Sequence, residues 1–283
     1  MLIFDKKDHL IAHLKAFSET EKTIGFVPTM GALHQGHLSL LQQSVDNNEV
    51  TVCSIFVNPT QFNNPNDLKK YPRTLDNDVE KIKTVSNTII VYAPAVDDIY
   101  DGVTASKSYD YDGLENQMEG KHRPGHFNGV GTIVKILFEI VKPTNAYFGE
   151  KDFQQLQIVK KLVEKYKIPV KIIGCPIFRE PNGLAMSSRN ERLTADERER
   201  AKIIYESLLV AKKAFNEKKI PLNFIFDWID KTFEKNQDFK LEYFEIADEA
   251  TLLPCLKRSY KKKFRAFIAV FIRDIRLIDT ISL

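Results

Sequence analysis

Apolar and polar positions along the chain follow two different rhythms, and the change falls near residue 190. In the first part, short apolar runs alternate with stretches whose apolar positions recur three or four residues apart. Residues 23–27 predict a strand that runs into Pro28 and a glycine-bearing turn, after which Leu38, Leu41 and Val45 fall on one helical stripe. Residues 50–57 are apolar on both faces, as in a buried parallel strand, and residues 89–92 predict another. A helix over 128–141, a strand over 146–148 before Gly149, a helix marked by Leu156, Val159 and Val163, and a strand over 170–174 follow. Strands alternating with helices imply an α/β fold, a Rossmann-like doubly wound parallel sheet.

Beyond residue 190 the pattern predicts a charged amphipathic helix over 197–218 and a second one opening at Pro221 and reaching about Lys235. Strands are expected over 241–246, 264–272 and 275–281. Helices followed by clustered strands suggest a smaller C-terminal α+β domain with an antiparallel sheet. The expected division is residues 1–178 and 179–283.

At 43% hydrophobic and 28% charged residues the chain has the material for a real core. Its 41 basic and 38 acidic residues leave a net charge of +3, with no basic face of the kind nucleic acid requires. The densest basic run, Lys257, Arg258, Lys261, Lys262, Lys263 and Arg265, reads as a solvated connection between strands. Three scattered cysteines, Cys53, Cys175 and Cys255, make neither a disulfide framework nor a zinc pattern, so a reducing cytoplasm is expected. Asp5, Lys6, Lys7 and Asp8 interrupt the N-terminus as no signal peptide would allow. The apolar runs fall short of the roughly 20 residues that cross a bilayer, so no membrane association is expected.

The segment Pro28-Thr29-Met30-Gly31-Ala32-Leu33-His34-Gln35-Gly36-His37 joins the first predicted strand to the first predicted helix. Ligands of open α/β sheets sit at such strand ends, and a helix start offers N–H groups and a positive dipole end to an anion. His34 and His37, three apart, share a face and can donate to phosphate oxygens as charge shifts in a transition state. Two other readings stand beside this one. The pair can be half of a metal site, for which no third ligand has a fitting spacing, or it can be purely structural. The GxGxxG of an ordinary dinucleotide fold is missing.

A second segment, Met186-Ser187-Ser188-Arg189-Asn190, follows Arg179, Gly183 and Leu184. Two hydroxyls, a guanidinium and an amide on a glycine-containing loop make a mobile phosphate clamp, because the guanidinium fork binds oxygens in pairs. In isolation the same loop suits a polar connection or a helix cap.

Together and in this order, the two segments resemble the HIGH and KMSKS signatures of the nucleotidyltransferase superfamily, which implies adenylate or cytidylate formation with release of pyrophosphate. Between them lie Phe56-Val57-Asn58-Pro59-Thr60-Gln61-Phe62, Tyr71-Pro72-Arg73 with Asp76 and Asp78, Glu119-Gly120-Lys121-His122-Arg123-Pro124-Gly125-His126-Phe127, and Ala146-Tyr147-Phe148-Gly149-Glu150-Lys151-Asp152-Phe153-Gln154-Gln155-Leu156. Over residues 25–190 this set resembles the pantothenate synthetase (pantoate–β-alanine ligase) family.

That resemblance implies ATP-dependent condensation of pantoate with β-alanine through a pantoyl-adenylate. It implies that Gln61 and Gln155 hold pantoate, with Met30 against its gem-dimethyl group and Asn58 alongside. ATP would lie against Met30, His34, His37, Gly149, Lys151, Asp152, Met186, Ser187, Ser188 and Arg189, of which His34, His37, Lys151 and Arg189 are the expected catalytic groups. Arg123 and His126 would form the β-alanine side, Mg²⁺ would accompany ATP with Asp78 as candidate ligand, and the enzyme would be a homodimer. The C-terminal unit would act as a lid.

Residue chemistry agrees where it speaks: a glutamine amide donates to a carboxylate and accepts from a hydroxyl. The Lys151–Asp152 pair also has a plainer reading, as the start of a helix. Another small nucleotidyltransferase would accept a phosphate and want more basic residues near Gln61, Gln155 and the Arg-Pro-Gly-His-Phe segment. A non-catalytic nucleotide- or RNA-binding module would show broken motifs, and both are complete here.

Overall fold

The computed structural model describes residues 1–283, apart from the side chain of Ser18. One unit holds Met1–Gly149 and Gln154–Pro176, the other Glu150–Phe153 and Ile177–Leu283. The break expected after residue 178 thus falls after 176, and a four-residue turn leaves the first unit for the second.

The first unit is built from β1 (Ile3–Phe4), α1 (Lys7–Ser18), β2 (Ile24–Thr29), α2 (Gln35–Asn47), β3 (Val50–Ile55), α3 (Pro65–Lys70), α4 (Leu75–Val85), β4 (Ile90–Tyr92), α5 (Val96–Tyr100), α6 (Met118–His122), α7 (His126–Val141), β5 (Asn145–Gly149), α8 (Phe153–Tyr166) and β6 (Lys171–Cys175). Its six strands form one parallel sheet in the order β1-β4-β3-β2-β5-β6. From β2 the chain builds outward on one side and then returns to place β5 on the other. The carboxyl ends of β2 and β5 therefore flank the point where strand order reverses, the position at which such sheets bind ligands. Phe26, Val27, Val52 and Cys53 are fully buried, which is why these strands read as continuous apolar runs. The charged residues 5–8 conceal β1 and α1, whose contribution to the core rests on Leu10 and Leu14.

The second unit contains α9 (Ala195–Arg200), α10 (Ile203–Asn216), α11 (Leu222–Glu234), β7 (Phe239–Asp248), β8 (Phe264–Ile272) and β9 (Ile275–Ser282). The strands form an antiparallel sheet, β7-β8-β9. The helix expected over 197–218 is two helices. Thr194 and Glu197 close a capping box on α9, and Ala201–Lys202 interrupt the regular pattern before α10. Leu208, Ala211, Ile225 and Ile229 pack with Ile246, Ala266, Ile268 and Val270 into one core. The basic connection after β7 exposes Lys257, Lys261, Lys262 and Lys263 to solvent as expected, but Arg265 is 5% exposed and lies inside β8. Among the described residues no helix is long and apolar enough to cross a membrane.

Candidate active site

The turn between β2 and α2 is pinned from several sides. Thr29 Oγ1 donates to the Ser54 carbonyl at 2.7 Å and accepts from Gly31 N–H at 3.2 Å. Gly31 and then Ala32 adopt left-handed backbone, φ +82° and +50°, a conformation that costs a non-glycine residue on the order of 1 kcal/mol. Asp78, on α4, holds it there: one carboxylate oxygen accepts from Ala32 N–H at 2.9 Å and the other from Leu33 N–H at 2.7 Å. Thr74 Oγ1 adds a donor at 3.2 Å, and Lys81 Nζ donates to the Leu33 carbonyl at 2.6 Å. Asp78 is fully buried. In this structure both of its oxygens are engaged by the histidine turn, which it fastens.

His34 is the N-cap of α2, and the His34 N–H donates to Nδ1 of His37 at 3.3 Å. In that contact Nδ1 of His37 is the acceptor, since a peptide N–H can only donate. The two rings stand 4.0 Å apart, centroid to centroid, at the positive end of the helix. Spacing alone placed both on one face. Only the fold makes the main chain of one histidine orient the ring of the other.

Next to β3, Asn58 caps a short 3₁₀ turn, Pro59–Gln61. Its Nδ2 donates to Gln61 Oε1 at 3.1 Å and to the Gly129 carbonyl at 3.2 Å. Gln61 in turn directs Nε2 to Met30 Sδ at 3.0 Å. Met30 and Gln61, separated by thirty-one residues, are thus adjacent. Asn58 is 1% exposed, and its amide is bonded to protein groups, Gln61 among them. His126 is likewise 5% exposed, and its Nδ1 lies 2.8 Å from the Gln61 carbonyl. That contact supports the Gln61 turn. Arg123 reaches the same carbonyl at 3.5 Å and Glu119 at 3.5 Å.

The neighbouring glutamines of α8 divide their labour. Gln154 is 3% exposed, accepts from Glu119 N–H at 2.9 Å, and donates to the carbonyls of Leu114 and Gln117 at 2.8 and 2.9 Å. Gln155 is half-buried, and its amide makes no hydrogen bond among the described residues. Gln155 is thus the one with an amide to offer a ligand.

In the second unit, Arg265 accounts for the placement of Glu150–Phe153. Its guanidinium pairs with Glu150 at 3.2 Å and Glu249 at 3.0 Å and stacks 4.0 Å from the Phe153 ring. The turn holding Lys151 and Asp152 is thereby fastened to β8, with Lys151 Nζ 3.8 Å from Asp152. The loop before α9 starts with a narrow hairpin in which Arg179 bridges to Ala185. Arg179 also grips buried Asp279 of β9 through two bonds of 2.6 and 3.0 Å and stacks 3.6 Å from Tyr205. Burial pushes the Asp279 carboxyl above its usual range, opposed by Arg179 and the Thr280 N–H. Met186, Ser187, Ser188 and Arg189 are half-buried, with Ser187 Oγ accepting from Arg189 N–H at 3.2 Å. Asn190 is 1% exposed, and its Nδ2 donates to Glu180 at 2.7 Å and to the Ala185 carbonyl at 3.1 Å, which anchors the loop. The adjacent polar residues that do remain accessible gave no signal distinguishing them from Asn190 in the sequence.

A strand-order reversal beside a helix headed by two neighbouring, tilted imidazoles is an arrangement that can hold a phosphate, as in an α/β enzyme that binds its ligands at strand ends. The chain belongs to the pantoate-beta-alanine ligase family, whose model matches residues 2–282. A relative from Flavobacterium psychrophilum, described as pantothenate synthetase, is 67% identical over all of both chains. Another so described, from Christiangramia forsetii, is 50% identical over 100% of this chain and 99% of its own. The crystal structure of pantothenate synthetase from Thermus thermophilus matches with a TM-score of 0.91 at 34% identity, covering 100% of this chain and 99% of the other. Pantoate-beta-alanine ligase from Francisella tularensis, solved with beta-gamma ATP and beta-alanine, matches with a TM-score of 0.81 at 37% identity, covering 100% and 97%.

Proposed function

We infer that the chain joins pantoate to β-alanine at the expense of ATP, by way of a pantoyl-adenylate. The observation that carries the reading is the oriented Gln61 amide beside Met30, in a chain that matches the ligase family over residues 2–282. A pantoate carboxylate oxygen attacks the α-phosphorus of ATP, and pyrophosphate leaves. The β-alanine amine then attacks the activated carbonyl, forming the amide and releasing AMP. No protein nucleophile takes part.

For the first step, Gln61 Nε2 and the Gln155 amide orient the carboxylate and hydroxyls, and Met30 lies against the branched methyls. His37 Nε2–H and His34 donate to phosphate oxygens at the head of α2, where the dipole also favours developing negative charge. Lys151, Ser187, Ser188 and Arg189 are proposed to neutralise the triphosphate, with Asp152, Gly149 and Met186 against the nucleoside. Arg123 is a candidate for the β-alanine carboxylate. Among the described residues no group of three or more histidine, cysteine, aspartate or glutamate side chains is placed to hold a metal. Mg²⁺ is accordingly proposed to arrive as part of the MgATP substrate. The lid role of the second unit and a homodimeric assembly also stand as proposals, the latter open to light scattering. So does a cytoplasmic location, motivated by cysteines too few and too scattered for a disulfide framework.

Pyrophosphate release from MgATP, measured with pantoate alone and with β-alanine added, tests the reading. Pantoate-dependent release, with AMP and pantothenate accumulating only when β-alanine is present, is expected. Turnover with a phosphorylated acceptor and none with pantoate would overturn it.

A further inference from the structure

Asn58 has an amide whose orientation is set by the backbone. Its Oδ1 accepts from Thr60 N–H at 3.4 Å, and a peptide N–H can only donate. Its Nδ2 meets the Gly129 carbonyl at 3.2 Å, and a carbonyl can only accept. The second Nδ2 proton then points to Gln61 Oε1 at 3.1 Å, which forces the Gln61 amide to direct its own Nε2 away from Asn58, towards Met30. Behind Asn58 stands Tyr100, the last residue of α5, whose hydroxyl donates to Oδ1 at 2.5 Å. Thr60 Oγ1 lies 3.0 Å from that hydroxyl and 3.1 Å from Oδ1 itself. Both hydroxyls thus converge on Oδ1, with Tyr100 at the shorter distance. The bonds run in one direction, from the hydroxyls through Asn58 to Gln61, and each polarises the next.

We propose that Tyr100 is a positioning residue: its hydroxyl braces Asn58, whose amide the backbone orients, and so holds Gln61 with its N–H, and not its carbonyl, towards an anionic acceptor. The inference rests on the reading of Gln61 as a partner of the pantoate carboxylate and adds a residue that never touches substrate. A thioether is a weak acceptor, so a carboxylate oxygen arriving near Met30 takes over the Nε2 proton with a gain in bond strength. Were the amide reversed, Oε1 would face the carboxylate and repel it. Tyr100 therefore acts on selectivity for a carboxylate ligand, while its ring, 7% exposed, stays part of the core.

The test is a double-mutant cycle between Tyr100→Phe and Gln61→Ala, read in KM for pantoate, KM for ATP and kcat. The phenylalanine ring fills the same volume, and loss of one neutral hydrogen bond should raise KM for pantoate about threefold to tenfold. KM for ATP and kcat should stay within about twofold, a split that general loosening of the fold would not give. In the Gln61→Ala background the same change should leave KM for pantoate unmoved, because its only route is gone. Asn58→Asp, which removes the donor to Gln61 and frees that amide to turn, should cost more, on the order of a hundredfold in kcat/KM for pantoate. If Gln61→Ala itself leaves pantoate affinity unchanged, the reading of Gln61 fails. If it weakens pantoate while Tyr100→Phe has an equal effect in both backgrounds, the Tyr100 inference fails and the Gln61 reading stands. Should Tyr100→Phe not fold, Thr60→Val removes the hydroxyl that shares Oδ1 with Tyr100 and is held to the same cycle.

Discussion

Replacing Gly129 by alanine isolates the contact that sets the Gln61 turn. Gly129 lies in the first turns of α7, and a methyl there would sit 2.4 Å from the Thr60 carbonyl oxygen, 2.6 Å from its carbon and 2.7 Å from Gln61 Cα. Ordinary carbon contacts need about 3.5–4.0 Å, so helix and turn must part by about 1 Å. All three atoms are backbone, and no rotamer change relieves the clash. Parting also stretches the 3.2 Å bond from Asn58 to the Gly129 carbonyl past hydrogen-bonding range. Overpacking and the lost buried bond together should cost about 2–5 kcal/mol, or roughly 5–15 °C in Tm for a unit of this size. A displacement of about 1 Å in a substrate-orienting group costs on the order of a hundredfold in kcat/KM. The assay is pantoate-dependent pyrophosphate release alongside thermal melting. An unchanged Tm would refute the packing argument. A lowered Tm with undiminished kcat/KM for pantoate would refute the claim that this helix positions Gln61.

The glutamine pair of α8 should separate cleanly. Gln154→Ala, losing three buried bonds to the 114–119 segment, should destabilise by about 2–4 kcal/mol, whereas Gln155→Ala should keep Tm and raise KM for pantoate, as melting and initial rates will report. Arg179→Met leaves the Asp279 charge buried without its partner and should cost about 3–5 kcal/mol near neutral pH. The Asp279 carboxyl is already raised by burial, and losing Arg179 raises it further, so the folded variant binds a proton that the unfolded chain releases. Stability of the variant should therefore fall as pH rises from the usual aspartate range towards neutrality, and denaturant melts should show a smaller deficit from the parent at pH 5 than at pH 8. Burial pushes the Cys53 thiol up to about 12, and Cys175 and Cys255 are buried too. A thiol-specific reagent at pH 8 should label the native protein far more slowly than the denatured chain, and rapid native labelling of Cys53 would contradict the packing of β3.

Much of the architecture is legible in the chain because it depends on local pattern. The continuous apolar runs of β2 and β3 mark strands buried on both faces, and the change of rhythm near residue 190 marks the passage to an antiparallel sheet. The histidine-bearing turn is legible for the same reason, since glycine, two histidines and a helix start lie close together in the chain. What each polar side chain does was not legible, because that depends on distant partners. Asp78 and Asp76 are equally acidic in the sequence, yet only the packing of α4 aims the Asp78 carboxylate at Ala32 and Leu33. Asn58, His126 and Asn190 have the chemistry of ligand-binding groups, and only the fold shows that they are buried and bonded to protein carbonyls and carboxylates. Gln154 and Gln155 differ only in helix phase against the rest of the fold. Sequence thus determined which elements form and which turn carries histidines at a helix start, since period and residue type suffice for both. Tertiary structure alone decided which polar atoms remain available to a ligand, because a buried donor or acceptor must find its partner wherever the fold brings one within about 3 Å.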